Sequence, residues 1–85
     1  MERFTFTVNN ENGLDARLAG LLVKEAAGCN GNVTIRKGEK TGNAKLIFNV
    51  MALSLKANDI AEIIVEGEGA AREAAALEAF VKEYI

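Results

Sequence analysis

Asp15 and Arg17 are the side chains best placed to do chemistry. They stand in the stretch Gly13-Leu14-Asp15-Ala16-Arg17-Leu18-Ala19, where a strand pattern gives way to a helix pattern. Asp15 directly precedes the first helical residue, the position where a carboxylate caps a helix. A helix start exposes unpaired N–H groups and the positive end of the macrodipole, so anions gather there. A guanidinium fork suits phosphate and carboxylate alike. Ala16, through its backbone, and Arg17, through its side chain, are therefore candidates for anion binding. The chain has already placed one anion there, Asp15 itself.

Three readings of Asp15 stand side by side. It is an N-cap accepting from the amides near Arg17 and Leu18. It is a fixed negative charge imitating a phosphorylated group, although a carboxylate is a poor copy of a phosphate carrying about −1.5 to −2 charges. Or it is a nucleophile that takes a phosphoryl group as an acyl-phosphate. For the third reading no acidic cluster for magnesium is apparent nearby, only Glu11. Arg17 is either a solvated helix-start residue or an anion or partner contact.

The rest of the composition removes alternatives. The chain has no histidine, which excludes histidine acid–base, nucleophilic and metal-ligand chemistry. One cysteine and no histidine leave too few ligands for zinc, and Cys29 has no partner for an internal disulfide. No catalytic residue, metal site or cofactor is assigned. Lys plus Arg is 10 against 12 Asp plus Glu, a net charge of −2, which argues against nucleic acid as a partner. No apolar run approaches the ~20 residues of a membrane span and no signal peptide opens the chain, so a cytoplasmic protein without membrane insertion is expected. At 49% hydrophobic, the 85 residues read as one folded domain, 1–85.

The elements that position Asp15 and Arg17 follow from periodicity. Glu2 to Val8 alternates, with Phe4, Phe6 and Val8 on one face, a strand. Asn9 to Gly13 is a loop. A helix runs from Ala16 to Ala27 with Ala19, Leu22, Val23 and Ala26 as its core stripe, ending at Gly28 or Gly31. Leu14, Leu18 and Leu21 fall off that stripe: singly they read as core or neutral surface, together as an exposed apolar patch around the helix start. Asn32 to Arg36 is a second strand, Lys37 to Lys40 a turn, and Thr41 to Ala44 a short third strand weakened by Gly42. Within Leu46 to Leu55, Ile47, Val50 and Met51 suit a short helix on the core, leaving Leu46 and Phe48 outward. Lys56 to Asp59 is a loop and Glu62 to Glu68 a fourth strand. Ala70 to Ile85 is a helix of strong helix formers, with Glu73, Leu77, Phe80 and Tyr84 on one face. Cys29 is expected to be buried. Arg72, Glu73, Glu78, Lys82 and Glu83 read as a solvated face.

The order β-α-β-β-α-β-α implies an α+β fold in two layers, three helices covering one face of a four-stranded antiparallel sheet. Leu14, Leu18, Leu21, Leu46, Ile47, Phe48 and Met51 would line one apolar patch beside the turn, with Asp15, Arg17 and Lys45 at its margin. A large exposed apolar patch marks an interaction site.

Element order and the Gly13–Ala19 stretch together resemble the HPr family, the histidine-containing phosphocarriers of bacterial sugar phosphotransferase systems. The family's active turn reads Gly, aliphatic, His, Ala, Arg, Pro, Ala. Its second signature reads Lys, Ser, aliphatic, Met or Leu, Gly, Val, Met, small, Leu, against Lys45-Leu46-Ile47-Phe48-Asn49-Val50-Met51-Ala52-Leu53 here. The resemblance spans the chain and implies an open-faced β-sandwich with sheet order 1-4-2-3. It puts Asp15 at the phosphohistidine position, Leu18 at the proline, Leu46 at the regulatory serine and Asn49 at the glycine. Ala16, Arg17, Ala19 and Lys45 match the family. The loop before the fourth strand looks slightly longer than usual. The resemblance thus implies a related protein that does not carry phosphohistidine and works as a protein-binding or regulatory module, or else a carrier using Asp15. Its implied partners are enzyme I-like or enzyme II A-like proteins, a transcription regulator, or a second copy of the chain.

Overall fold

A computed structural model describes residues 1–85. Its elements are β1 (Glu2–Thr7), α1 (Ala16–Ala27), β2 (Val33–Lys37), β3 (Lys40–Asn43), α2 (Ile47–Met51), β4 (Ile60–Val65) and α3 (Ala70–Tyr84). The strands form one antiparallel sheet in the order β1-β4-β2-β3. β4 is central because both of its neighbours need its apolar face. Phe4 and Ile35 both lie opposite Ile63, and Val33 lies opposite Val65. Alternation then sends Phe6, Val33, Ile35, Ala61, Ile63 and Val65 to the buried face. Arg3, Arg36 and Glu62 go to the other face. There Glu62 sits between the two guanidiniums, 3.6 Å from Arg3 and 2.8 Å from Arg36.

The helices close the buried face. α1 contributes Leu18, Ala19, Leu22 and Ala26, α2 contributes Val50, and α3 contributes Ala70, Ala74, Leu77 and Val81. All belong to one contiguous apolar core. The short hairpin β2–β3 is closed at Lys37 and Lys40, with Gly38 at φ 61° in the loop position that asks for positive φ.

Three expectations need correction. β4 runs from Ile60 to Val65 rather than from Glu62 to Glu68, because pairing starts where Thr7 meets Ile60 and ends as the chain turns into the positive-φ residues Gly67 and Gly69. β2 and β3 each sit about one residue from their expected limits. The α3 stripe is Ala70, Ala74, Leu77 and Val81, not Glu73, Leu77, Phe80 and Tyr84. Two alanines let this helix approach the sheet closely. The bulky rings are displaced to its flank, where Phe80 and Tyr84 pack together with centroids 5.0 Å apart.

Candidate functional site

The turn that carries Asp15 is built from hydrogen bonds donated by backbone amides. Asn10 Oδ1 accepts from the Asn12 amide at 2.9 Å, and the Asn10 carbonyl accepts from the Gly13 amide at 2.9 Å. Gly13 takes φ 71°, and a Cβ there would lie 2.6 Å from the Leu55 carbonyl oxygen. Only glycine combines that conformation with so close an approach. The Leu14 amide then donates to the same Leu55 carbonyl at 2.9 Å. The loop before β4 is therefore the seat of the turn, a role with no signature in residue type.

Asp15 follows in an extended conformation, φ −77° and ψ 178°, and its Oδ1 accepts from the Leu18 amide at 2.9 Å. Its carbonyl starts the helix by accepting from Ala19 at 2.8 Å. The capping reading of Asp15 is thus realised in the structure. Ala16 and Arg17 lie exposed in the first turn, and the Arg17 guanidinium has no hydrogen-bond or ion-pair partner. The site presents one committed carboxylate oxygen and one free cation.

The apolar patch is smaller than expected. Leu14 is 8% exposed and Leu18 1%, so neither can line an open surface. The reason is local geometry. Leu14 precedes the cap and Ala19 lies at the fourth helical position, and both are buried, as in a hydrophobic staple. α1 packs on both α2 and α3, so its buried arc is wide enough to take in Leu18. Leu21 and Ile47 are half-buried against the core. Ile47 Cδ1 comes to 3.8 Å from where a Gly20 Cβ would lie, which marks the close helix–helix contact. Phe48, Leu46 and Met51 do stay exposed, at 82%, 52% and 40%. Met51, expected to lean on the core, faces solvent instead, because the five-residue α2 has room for one buried side chain, Val50.

Lys45 is also placed differently from a free surface cation. Its Nζ donates to the Cys29 carbonyl at 2.8 Å, tying the end of α1 to the entry of α2. Leu46 occupies the N-cap of α2 and offers no side-chain acceptor. Instead, Asn43 and Asn49 brace that corner: Asn43 Oδ1 accepts from the Lys45 amide at 2.9 Å and Asn49 Oδ1 from the Asn43 amide at 3.2 Å. Cys29 is buried, and burial, reinforced by nearby Glu73, pushes its thiol pKa up and away from reactivity. No three of the Cys, Asp and Glu side chains converge as metal ligands would. No helix is long and apolar enough to cross a membrane.

This arrangement, a sheet of order 1-4-2-3 with a capped helix start beside a short second helix, can be set against known proteins. The family model described as "PTS HPr component phosphorylation site" matches residues 2–83. The chain belongs to the HPr family. The phosphocarrier protein HPr of Mycoplasma capricolum is 41% identical over 69 residues, covering 81% of this chain and 75% of that protein. Among solved structures, a histidine-containing phosphocarrier protein of Mycoplasma superposes with a TM-score of 0.91 at 34% identity, over 96% of this chain and 93% of that one. The Bacillus subtilis protein Crh, described as a domain-swapped, intertwined dimer, matches with a TM-score of 0.77 at 32% identity, over 100% of this chain and 98% of the other. The HPr fold accounts for every element, and the HPr family is one of the phosphotransferase system.

Proposed function

We propose that this chain is an HPr-family protein that does not carry phosphohistidine and acts by docking to other proteins. The single observation that carries this reading is Asp15 at the family's phosphoryl-accepting turn in a chain without histidine, with one carboxylate oxygen already holding the start of α1. The second covalent switch of the family falls on Leu46, which has no hydroxyl to modify. What the surface offers in place of chemistry is an apolar triad, Leu46, Phe48 and Met51, with the unpaired Arg17 on the neighbouring helix start. Leu21, Ile47 and Lys45 are half-buried and add less to that surface. Suitable partners are enzyme I-like or enzyme II A-like proteins of the phosphotransferase system, or a transcription regulator. A second copy of the chain is a further partner. The expected setting is the cytoplasm.

Intact-mass measurement after incubation with phosphoenolpyruvate and enzyme I tests the first half of the reading. No added phosphoryl group is expected. One added group that hydroxylamine removes would instead establish Asp15 as an acyl-phosphate acceptor and overturn the proposal. For the second half, Phe48→Glu should abolish capture of phosphotransferase-system proteins without altering the melting temperature. Unchanged capture would exclude this face.

A further inference from the structure

The loop that seats the Asp15 turn is itself held in an unfavourable shape. Ser54 takes φ 50° and Asn58 takes φ 73°, left-handed conformations that asparagine tolerates but serine rarely adopts. Such conformations persist where surrounding contacts over-determine them. Two of the anchors are ordinary: Leu53 and Leu55 are buried in the core. Backbone hydrogen bonds hold it as well, and the polar side-chain anchors converge on one side chain from a different element. Lys37, the last residue of β2, donates from Nζ to the Ser54 carbonyl at 3.0 Å and pairs with Asp59 Oδ2 at 2.9 Å. The same Asp59 oxygen accepts from the Lys56 amide at 2.8 Å. Lys37 thus grips the loop at both ends, and Asp59 relays that grip to its middle.

The loop meets the turn at Leu55. Its carbonyl, lying between the two gripped ends, accepts from the Leu14 amide and limits how near Gly13 can come. The other end of the loop is pinned to the residue that follows β1, with the Val8 amide donating to the Asp59 carbonyl at 2.8 Å and the Asn58 amide to the Val8 carbonyl at 2.7 Å. A shift of Ser54 or Asp59 therefore moves the Leu55 carbonyl, and with it Leu14 and the cap residue beside it.

We propose that Lys37 is a positioning residue for the Gly13–Asp15 turn, acting through the Ser54–Asp59 loop and touching no residue of the turn itself. The coupling lies within the chain itself and holds whatever the turn docks. It makes the β2–β3 hairpin end a second place from which the Asp15 surface can be loosened.

Residue-resolved amide exchange by NMR on the whole chain tests this. Lys37→Met keeps the alkyl stem and removes both polar contacts. Asp59→Asn keeps the shape and removes the charge. In each variant the Leu14 amide should exchange at least about tenfold faster than in the parent, a loss of local protection of ~1.4 kcal/mol. The Ile35 and Ile63 amides of the central sheet should keep their rates. Leu14 exchange that is unchanged, or that rises only in step with Ile35 and Ile63, would overturn the proposal, since the first means no coupling and the second only global destabilisation. If Lys37→Met does not fold, Asp59→Asn alone decides by the same comparison.

Discussion

Replacing Asp15 with alanine removes one acceptor and one charge from the start of α1, and the structure says how much each should matter. The lost hydrogen bond is that from the Leu18 amide to Oδ1, 2.9 Å long and partly shielded from solvent. Cap removal of this kind costs about 0.5–2 kcal/mol, and the shielding places the expectation at roughly 1–1.5. Part of that is the charge facing the helix dipole, worth about 0.3–1 kcal/mol when exposed. Asp15→Asn separates the parts, since the amide oxygen still accepts from Leu18 while the charge is gone. It should cost about 0.3–0.5 kcal/mol. With an unfolding entropy of ~2.1 cal/mol/K per residue over 85 residues, 1 kcal/mol corresponds to about 6 °C in melting temperature. Far-UV circular dichroism melts should therefore order the proteins as parent, Asp15→Asn, then Asp15→Ala some 6–8 °C below the parent. If the alanine variant melts within about a degree of the parent, the cap contributes nothing and the Asp15 carboxylate is not committed to holding the helix start. If asparagine costs as much as alanine, the charge rather than the hydrogen bond is the stabilising feature.

Other substitutions probe the site's surroundings. Leu18→Ala should cost about 2–5 kcal/mol in urea unfolding because it empties a fully buried position, whereas Phe48→Ala should stay within about 0.5 kcal/mol. Gly13→Ala should cost more than about 1 kcal/mol by the same measurement, since the residue has positive φ and its new Cβ would press on the Leu55 carbonyl. Stability should also fall in acid through Asp59, whose carboxyl the Lys37 ammonium and then the Lys56 amide hold below the usual range. The folded protein binds that proton less readily than the unfolded chain. The stabilisation is thus complete above about pH 4, where the unfolded carboxylate is ionised, and is lost as pH falls through the lower folded value. Urea titrations from pH 7 to pH 2 should show a shallower acid loss in Asp59→Asn than in the parent.

The alternation of β1, the extent of α1 and the capping role of Asp15 were legible in the sequence because each rests on a local rule, whereas the strand order followed only from the resemblance to the family. Phe4, Phe6 and Val8 alternate. Asp15 precedes an apolar helical period. The facing of Leu18 was not legible in the same way. A stripe drawn on a helical wheel assumes one packing partner, and α1 packs on two helices, α2 and α3. α3 misled for a different reason. Aromatic side chains weigh heavily in a hydrophobic pattern and alanine lightly, yet Ala70 and Ala74 are buried while Tyr84 is exposed. The polar ties were illegible from any pattern. Lys37 ends on the carbonyl of Ser54 and Lys45 on that of Cys29, acceptors that every residue possesses.

These ties bear on how the surface divides its labour. On the α1 side, burial of Leu14 and Leu18 consumes the apolar residues that sequence alone would leave for a partner. The α1 start keeps only polar assets, the cap and the free Arg17. On the α2 side, the helix is five residues long, lacks a side-chain cap and buries only Val50. Helices this short are not stable by themselves, so α2 is held by its neighbours, notably the corner made by Asn43, Lys45 and Asn49. Leu46, Phe48 and Met51 contribute little to that hold, and polar residues there would leave the core unchanged. Their combined exposure is a feature of the surface rather than of the fold. A partner that covers Phe48 alone gains about 1.5–3 kcal/mol, roughly a 10- to 150-fold change in affinity. A rim charge such as Arg17 acts mainly on encounter rate and orientation. Docking at this face would therefore take its strength from α2 and its alignment from the start of α1, which is where the loop gripped by Lys37 has its effect.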